Sequence, residues 1–153
     1  MPQISTFLTF NDQAEQAARF YTSVFPNSKI TRITRSPFQT ESALTVEFTL
    51  DGREFTALNG GPQFSFTHGF SIAVICDTQQ QVDEYWNKFV AAGGKPVACG
   101  WITDHFGVSW QIDPKLLIDL INDPDTAKAG KAMQAIMKMV KIESDELQRA
   151  IAE

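Results

Sequence analysis

Few residues in this sequence are suited to chemistry, and they are unevenly placed. The 153 residues include two histidines, His68 and His105, and two cysteines, Cys76 and Cys99. The densest stretch is Cys99–Pro114, CGWITDHFGVSWQIDP, with one cysteine, two tryptophans, one histidine and two aspartates. A cysteine nucleophile needs a base or a helix N-terminus to lower its pKa. Cys76 ends a strand-like run just before a helical one, and Cys99 lies near Trp101, but neither has a histidine beside it in sequence. Both therefore read as inert thiols, and no hydrolase motif accompanies them. A nucleotide-type methyl donor calls for a glycine-rich turn between a strand and a helix. The turn FNDQAEQ has no glycine, and NGGP leads into no helix. What remains is an inventory of indoles, amides and hydroxyls, which is the equipment of recognition.

These residues must be held by elements, and the elements repeat. Ile4–Phe10 is rich in strand formers, and Asp12 with Glu15 resembles a capping box. Ala14, Ala17, Ala18, Tyr21 and Phe25 form one helical face that stops at Pro26. Lys29–Arg35, Ala43–Leu50 and Arg53–Leu58 read as strands, with a loop over Ser36–Glu41 and an Asp51-Gly52 hairpin turn. The pattern then restarts. Phe70–Cys76 is a strand, and Asp77 or Thr78 caps a helix whose Val82, Tyr85, Trp86, Phe89 and Val90 share a face. Gly93-Gly94 stops it, and short strands follow at Lys95–Cys99, Trp101–Thr103 and Val108–Asp113. The two strand-helix-strand-strand-strand copies begin roughly 65 residues apart, and such a repeat fixes the architecture before any motif is consulted. Beyond it, Lys115–Asn122 is a short helix, and Asp123-Pro124 opens a second. In that second helix Met133, Ile136, Met137 and Val140 form an apolar face, read as core or dimer interface. Ser144 caps a last helix with Leu147 and Ile151 inward.

Composition narrows the partners. A net charge of −5 with no basic run argues against nucleic acid. No apolar run has the length of a membrane span, and MPQISTFLTF lacks the pattern of a signal peptide. The expectation is a cytoplasmic chain that meets neither nucleic acid nor membrane, with its cysteines reduced.

The segments ISTFLTFNDQAEQAARFY, ALNGGPQF, CGWITDHFGVSWQIDP and AMQAIMKMVKI together resemble the vicinal oxygen chelate superfamily. Within that glyoxalase, bleomycin-resistance and dioxygenase group they are most similar to the PhnB-like branch, labelled a 3-demethylubiquinone-9 3-methyltransferase domain. The resemblance implies an α+β fold of two βαβββ modules forming a curved mixed sheet, usually combined in a homodimer, with the ligand site in the cleft. It also implies a divalent metal held by a histidine on the first strand of each module and a glutamate on the last. Matched position by position, those places hold Ser5, Asn59, Gly69 with His68 adjacent, and Gln111. Uncharged oxygens hold transition metals weakly, so neither a metal nor another cofactor is expected.

Alternation puts Ser109 and Gln111 on one strand face, Cys99 and Trp101 on one face, and Phe55, Ala57 and Asn59 on one face. With Gln111 facing the cleft, as the resemblance implies, the expected ligand-binding residues are Asn59, Cys99, Trp101, Ser109 and Gln111. Phe55 and Phe7 would be apolar lining, and no catalytic residue is assigned. The expected organisation is a single glyoxalase-like domain over 1–153. Module one spans 1–62, module two 68–114 and a C-terminal helical extension 115–153. The function read is a small-molecule-binding protein. Its rivals are a metal-dependent lyase, isomerase or dioxygenase with an atypical ligand set, a methyltransferase as the family label suggests, and a purely structural dimer.

Overall fold

The computed structural model describes residues 1–39 and 41–153; Thr40, inside the expected 36–41 loop, lies outside the described residues. The chain divides into two compact units, Met1–Ser65 and Phe66–Glu153.

The first unit contains β1 (Thr6–Phe10), α1 (Ala14–Val24), β2 (Lys29–Arg35), β3 (Ala43–Leu50) and β4 (Arg53–Asn59). The sheet order is β1-β4-β3-β2, with β1 parallel to β4 and the other pairs antiparallel. Small residues let α1 settle close to the sheet: Ala14, Ala17 and Ala18 are fully buried beside Tyr21. Against them lie Leu8, Phe10, Val46, Phe48, Phe55 and Ala57, all buried. Phe48 and Phe55 stack with centroids 5.5 Å apart, and each such ring contributes a few kcal/mol, roughly 2–3, through burial. The Asp51-Gly52 turn has φ of 49° and 75°, the left-handed pair a two-residue hairpin requires.

The second unit repeats this plan with β5 (Ile72–Cys76), α2 (Gln79–Ala91), β6 (Lys95–Pro96), β7 (Trp101–Thr103) and β8 (Ser109–Pro114), in the order β5-β8-β7-β6. Thr78 caps α2, its hydroxyl accepting from Gln81 N–H at 3.2 Å. Val82, Trp86 and Phe89 bury against Ile102, Trp110 and Ile112, with Phe89 and Trp110 rings 5.0 Å apart. The tail adds α3 (Lys115–Ile121), α4 (Thr126–Ile136) and α5 (Ser144–Ala152) around Leu117, Leu120, Ala132, Met139, Ile142 and Leu147.

Several local expectations are corrected. The expected strand at Lys95–Cys99 is only Lys95–Pro96, because Cys99 has φ of 57° and sits in a turn closed by Trp101 N–H donating to the Ala98 carbonyl. Asp12 does not cap α1, and Gln13 occupies the cap position without a side-chain bond. Asp125 rather than Asp123 caps α4, and Ser144 lies inside α5 behind Glu143. Met133, Met137 and Val140 are 45%, 71% and 50% exposed, so of the expected face only Ile136 packs against the core of the tail, which is built from Ala132, Met139 and Ile142 with Leu117, Leu120 and Leu147.

Candidate functional site

The face of the second sheet turned away from α2 carries the polar residues. Ile72, Val74, Cys76, Trp110 and Ile112 alternate to the α2 side. Ala73, Ile75, Ser109, Gln111, Asp113, Trp101 and Thr103 therefore lie on the other. Register aligns Ala73, Gln111 and Trp101 in one row across β5, β8 and β7. Gln111 Nε2 donates to Ser71 Oγ at 2.9 Å. Ser109, 2% exposed, shares a hydrogen bond of 3.3 Å between its Oγ and His68 Nδ1. These bonds orient the Gln111 amide and the imidazole. Among the described residues, no partner meets Gln111 Oε1 or the indole N–H of half-buried Trp101. An acceptor and a donor thus sit unused in the same row of the sheet.

Trp101, Ser109 and Gln111 of the expected set are brought together here. Cys99 is not in line with them, because its left-handed backbone breaks the alternation, and its N–H donates to the Met139 carbonyl at 2.9 Å. Asn59 is also elsewhere. It lies with Phe55 and Ala57 on the α1 side of β4, where the Phe55 ring and the Ala57 methyl are core rather than lining. Its Oδ1 accepts from Ala14 N–H at 2.8 Å and its Nδ2 donates to the Ala43 carbonyl at 3.0 Å. Asn59 therefore caps α1 and ties it to β3. Register also corrects the matching of the two modules. Phe7 pairs with Thr56 as Ala73 pairs with Gln111, so Thr56, not Asn59, is the counterpart of Gln111.

The sequence alone did not point to Ser71, because serine in a GFSIAV run carries no motif. His68 stood out as a possible ligand, but not as a partner of Ser109. A separate polar groove of about 600 Å³ lies by the start of α1, lined by Asp12, Glu15, Arg19, Glu41 and Asn59 among others. Its Glu15 is engaged by Arg19 and Arg35, both at 2.9 Å, which hold the carboxyl below the usual range.

The metal that the superfamily implies was tested on the donor set. Among the described residues no three of histidine, cysteine, aspartate and glutamate converge on one point. The row at Gln111 offers a neutral amide oxygen, hydroxyls and one imidazole already tied to Ser109. The usual His-and-Glu chelate is not assembled from these residues. Cys76 is no substitute: burial, with Asp113 and Asp77 nearby, pushes its thiol up to about 11.

A family model described as 3-demethylubiquinone-9 3-methyltransferase matches residues 2–113. The PhnB protein from Bacillus cereus is 32% identical, covering 74% of this chain and 99% of its own, with a TM-score of 0.67. Protein PA1353 from Pseudomonas aeruginosa is 18% identical over 74% and 98%, with a TM-score of 0.61. The fosfomycin resistance protein FosX from Listeria monocytogenes is 15% identical over 74% and 93%, with a TM-score of 0.53. These last two are likenesses of fold alone. No curated protein matches the chain. With the paired βαβββ units in place and the match spanning both, the chain belongs to the 3-demethylubiquinone-9 3-methyltransferase domain family, a PhnB-like branch of the vicinal oxygen chelate superfamily.

Proposed function

We propose that this protein binds a small organic molecule on the α2-distal face of its second sheet, using Trp101 and Gln111 as the central contacts. The observation that carries this reading is the unused pair, the Trp101 indole N–H and Gln111 Oε1, held in one row beside an oriented Ser71 and Ser109. No fully buried side-chain nitrogen or oxygen among the described residues lacks a partner, so both atoms are open to solvent and a ligand can take them up in exchange for water. A planar amide or a ring bearing vicinal donor and acceptor groups fits this pattern. Binding here requires no metal and no nucleotide cradle, and the family label by itself does not supply a methyl-donor site.

The second reading, metal-assisted chemistry with an atypical ligand set, has one supporting observation. His68 Nδ1 is fixed by Ser109, which leaves Nε2 oriented, as a hydrogen bond to the far ring nitrogen orients a metal-bound histidine. Thermal unfolding of chelator-stripped protein separates the two. A ligand that binds only the folded state raises the midpoint in a saturable way. Small aromatic amides are expected to do so, and Trp101→Ala and Gln111→Ala to abolish it. A saturable shift with Mn²⁺, Ni²⁺ or Zn²⁺ that disappears in His68→Ala and Gln111→Ala would overturn the metal-free reading. A homodimer and a cytoplasmic location belong to the same proposal; a monomer mass by light scattering would remove the first.

A further inference from the structure

Asp113 lies two residues after Gln111 on β8, on the same alternation face, opposite Ile75, which is 50% exposed. Asp113 itself is 5% exposed. Among the described residues its carboxylate accepts no hydrogen bond and makes no ion pair. Every fully buried side-chain oxygen or nitrogen among those residues has a partner. The residual exposure of Asp113 therefore includes its carboxylate oxygens. Buried carboxylates with a structural role are paired. Lys115, two residues on, is occupied by Asp119 at 2.8 Å. The groups that sense Asp113 electrostatically include the Cys76 thiol, and no cation is among its own influences. The first unit shows that the fold does not need a carboxylate here: by register the counterpart of the Ile75–Asp113 pair is Thr9–Leu58.

We propose that Asp113 is the charge-recognition residue of this face, and that the molecule bound there carries an amine cation beside an aromatic or amide-bearing part. The inference rests on the small-molecule reading above and names its substrate class. Trp101 is the diagonal neighbour of Asp113 across β7 and β8, a separation of roughly 7–8 Å that an indole spans. An ammonium group between them meets a carboxylate on one side and an aromatic face on the other, the two surfaces that favour a desolvated cation. A single carboxylate with no second acidic ligand suits a monovalent organic cation better than a metal ion.

The test uses the full chain and three near-isosteric probes, phenethylamine, 2-phenylethanol and phenylacetate, followed by the indole N–H resonances in ¹H–¹⁵N spectra. Trp101 is assigned with Trp101→Phe. The amine is expected to bind at least tenfold more tightly than the alcohol, with the anion weakest. Asp113→Asn is expected to erase the amine-to-alcohol preference. Asp113→Leu, the side chain carried by the first unit, repeats the measurement should the amide variant be poorly folded. An alcohol that perturbs Trp101 as strongly as the amine, or a preference that survives both substitutions, overturns the inference and leaves the binding site standing. No perturbation of Trp101 by any probe removes both.

Discussion

Asp104, in the turn after β7, and Asp113, on β8, are both almost fully buried, yet only one has partners. Asp104, 4% exposed, accepts from Phe106 N–H at 2.8 Å and Val108 N–H at 2.9 Å through Oδ1, and from Trp110 Nε1–H at 2.9 Å through Oδ2. One carboxylate thus closes the 104–108 turn and anchors the central indole. Asp104→Asn replaces an acceptor by a donor against one of these N–H groups, so urea unfolding should show a loss of about 2–4 kcal/mol. Asp113 behaves in the opposite way. Burial raises its carboxyl from 3.8 to about 6, so the native state holds this proton more firmly than the unfolded chain. The associated stability is fully present below about pH 4 and is lost as pH rises through about 6, on the order of 2–3 kcal/mol. Asp113→Asn should therefore raise the urea midpoint at pH 8 and leave it nearly unchanged at about pH 3.5; an equal gain at both would reject this account. His105 is exposed, and the neighbouring aspartate, whose role no motif announces, carries the turn. The pairs Gln111–Ser71 and Ser109–His68 span 40 and 41 residues, a separation that no local pattern encodes.

At the scale of elements, the sequence was readable wherever a signal is local. The Asp51-Gly52 hairpin and the Thr78 cap each depend on adjacent residues, the buried stripe of α2 on spacing within one helix, and the repeat on the recurrence of such local patterns. The α1 cap was not readable, because its acceptor is supplied by Asn59, 45 residues away from Ala14. The strand parity of β4 was correct, but matching Asn59 to Gln111 by strand ends joined residues on opposite faces, Asn59 toward α1 and Gln111 away from α2. Phe55 and Ala57 are what an α1-facing surface requires, and only the register with β1 reveals it. Asn59→Ala should then cost about 1–2 kcal/mol, the size of a lost cap plus a lost strand tie. Asn59→Asp keeps the acceptor for Ala14 N–H but loses donation to the Ala43 carbonyl, so its thermal midpoint should fall between the other two. Neither change should alter ligand affinity at Trp101. A drop in affinity without a drop in midpoint would return Asn59 to the binding residues.

On the scale of the whole molecule, the 115–153 tail is the part that the family match does not define, since the match ends at residue 113. It is nevertheless built into the second unit. Cys99 and Gly100 donate their N–H groups to the Met139 and Val140 carbonyls at 2.9 and 2.8 Å. Gly100 has φ of 83°, and a Cβ there would stand 2.6 Å from Ile142 Cδ1. From α2, Gln79 Nε2 donates to the Ile142 carbonyl at 3.0 Å, and Gln79 Oε1 accepts from Ser144 N–H at 2.8 Å. Asp83 holds Lys141 at 2.6 Å. The tail therefore grips both the start of α2 and the turn that leads directly into Trp101, so it sets the position of the residue on which the proposed site depends. A chain ending at Pro114 should keep the hydrogen-exchange protection of Val46, Phe48 and Ala57 in the first unit. Cys99 and Gly100 amides should become freely exchanging, and Ile102, Trp110 and Ile112 should lose much of their protection. Gly100→Ala in the full chain should reproduce the local part of that loss, because backbone strain and the Ile142 clash act at the same turn. Undiminished protection of Ile102 and Trp110 in the shortened chain would mean that the tail is appended to the second unit rather than part of its core. Trp101 would then owe its position to β7 and β8 alone.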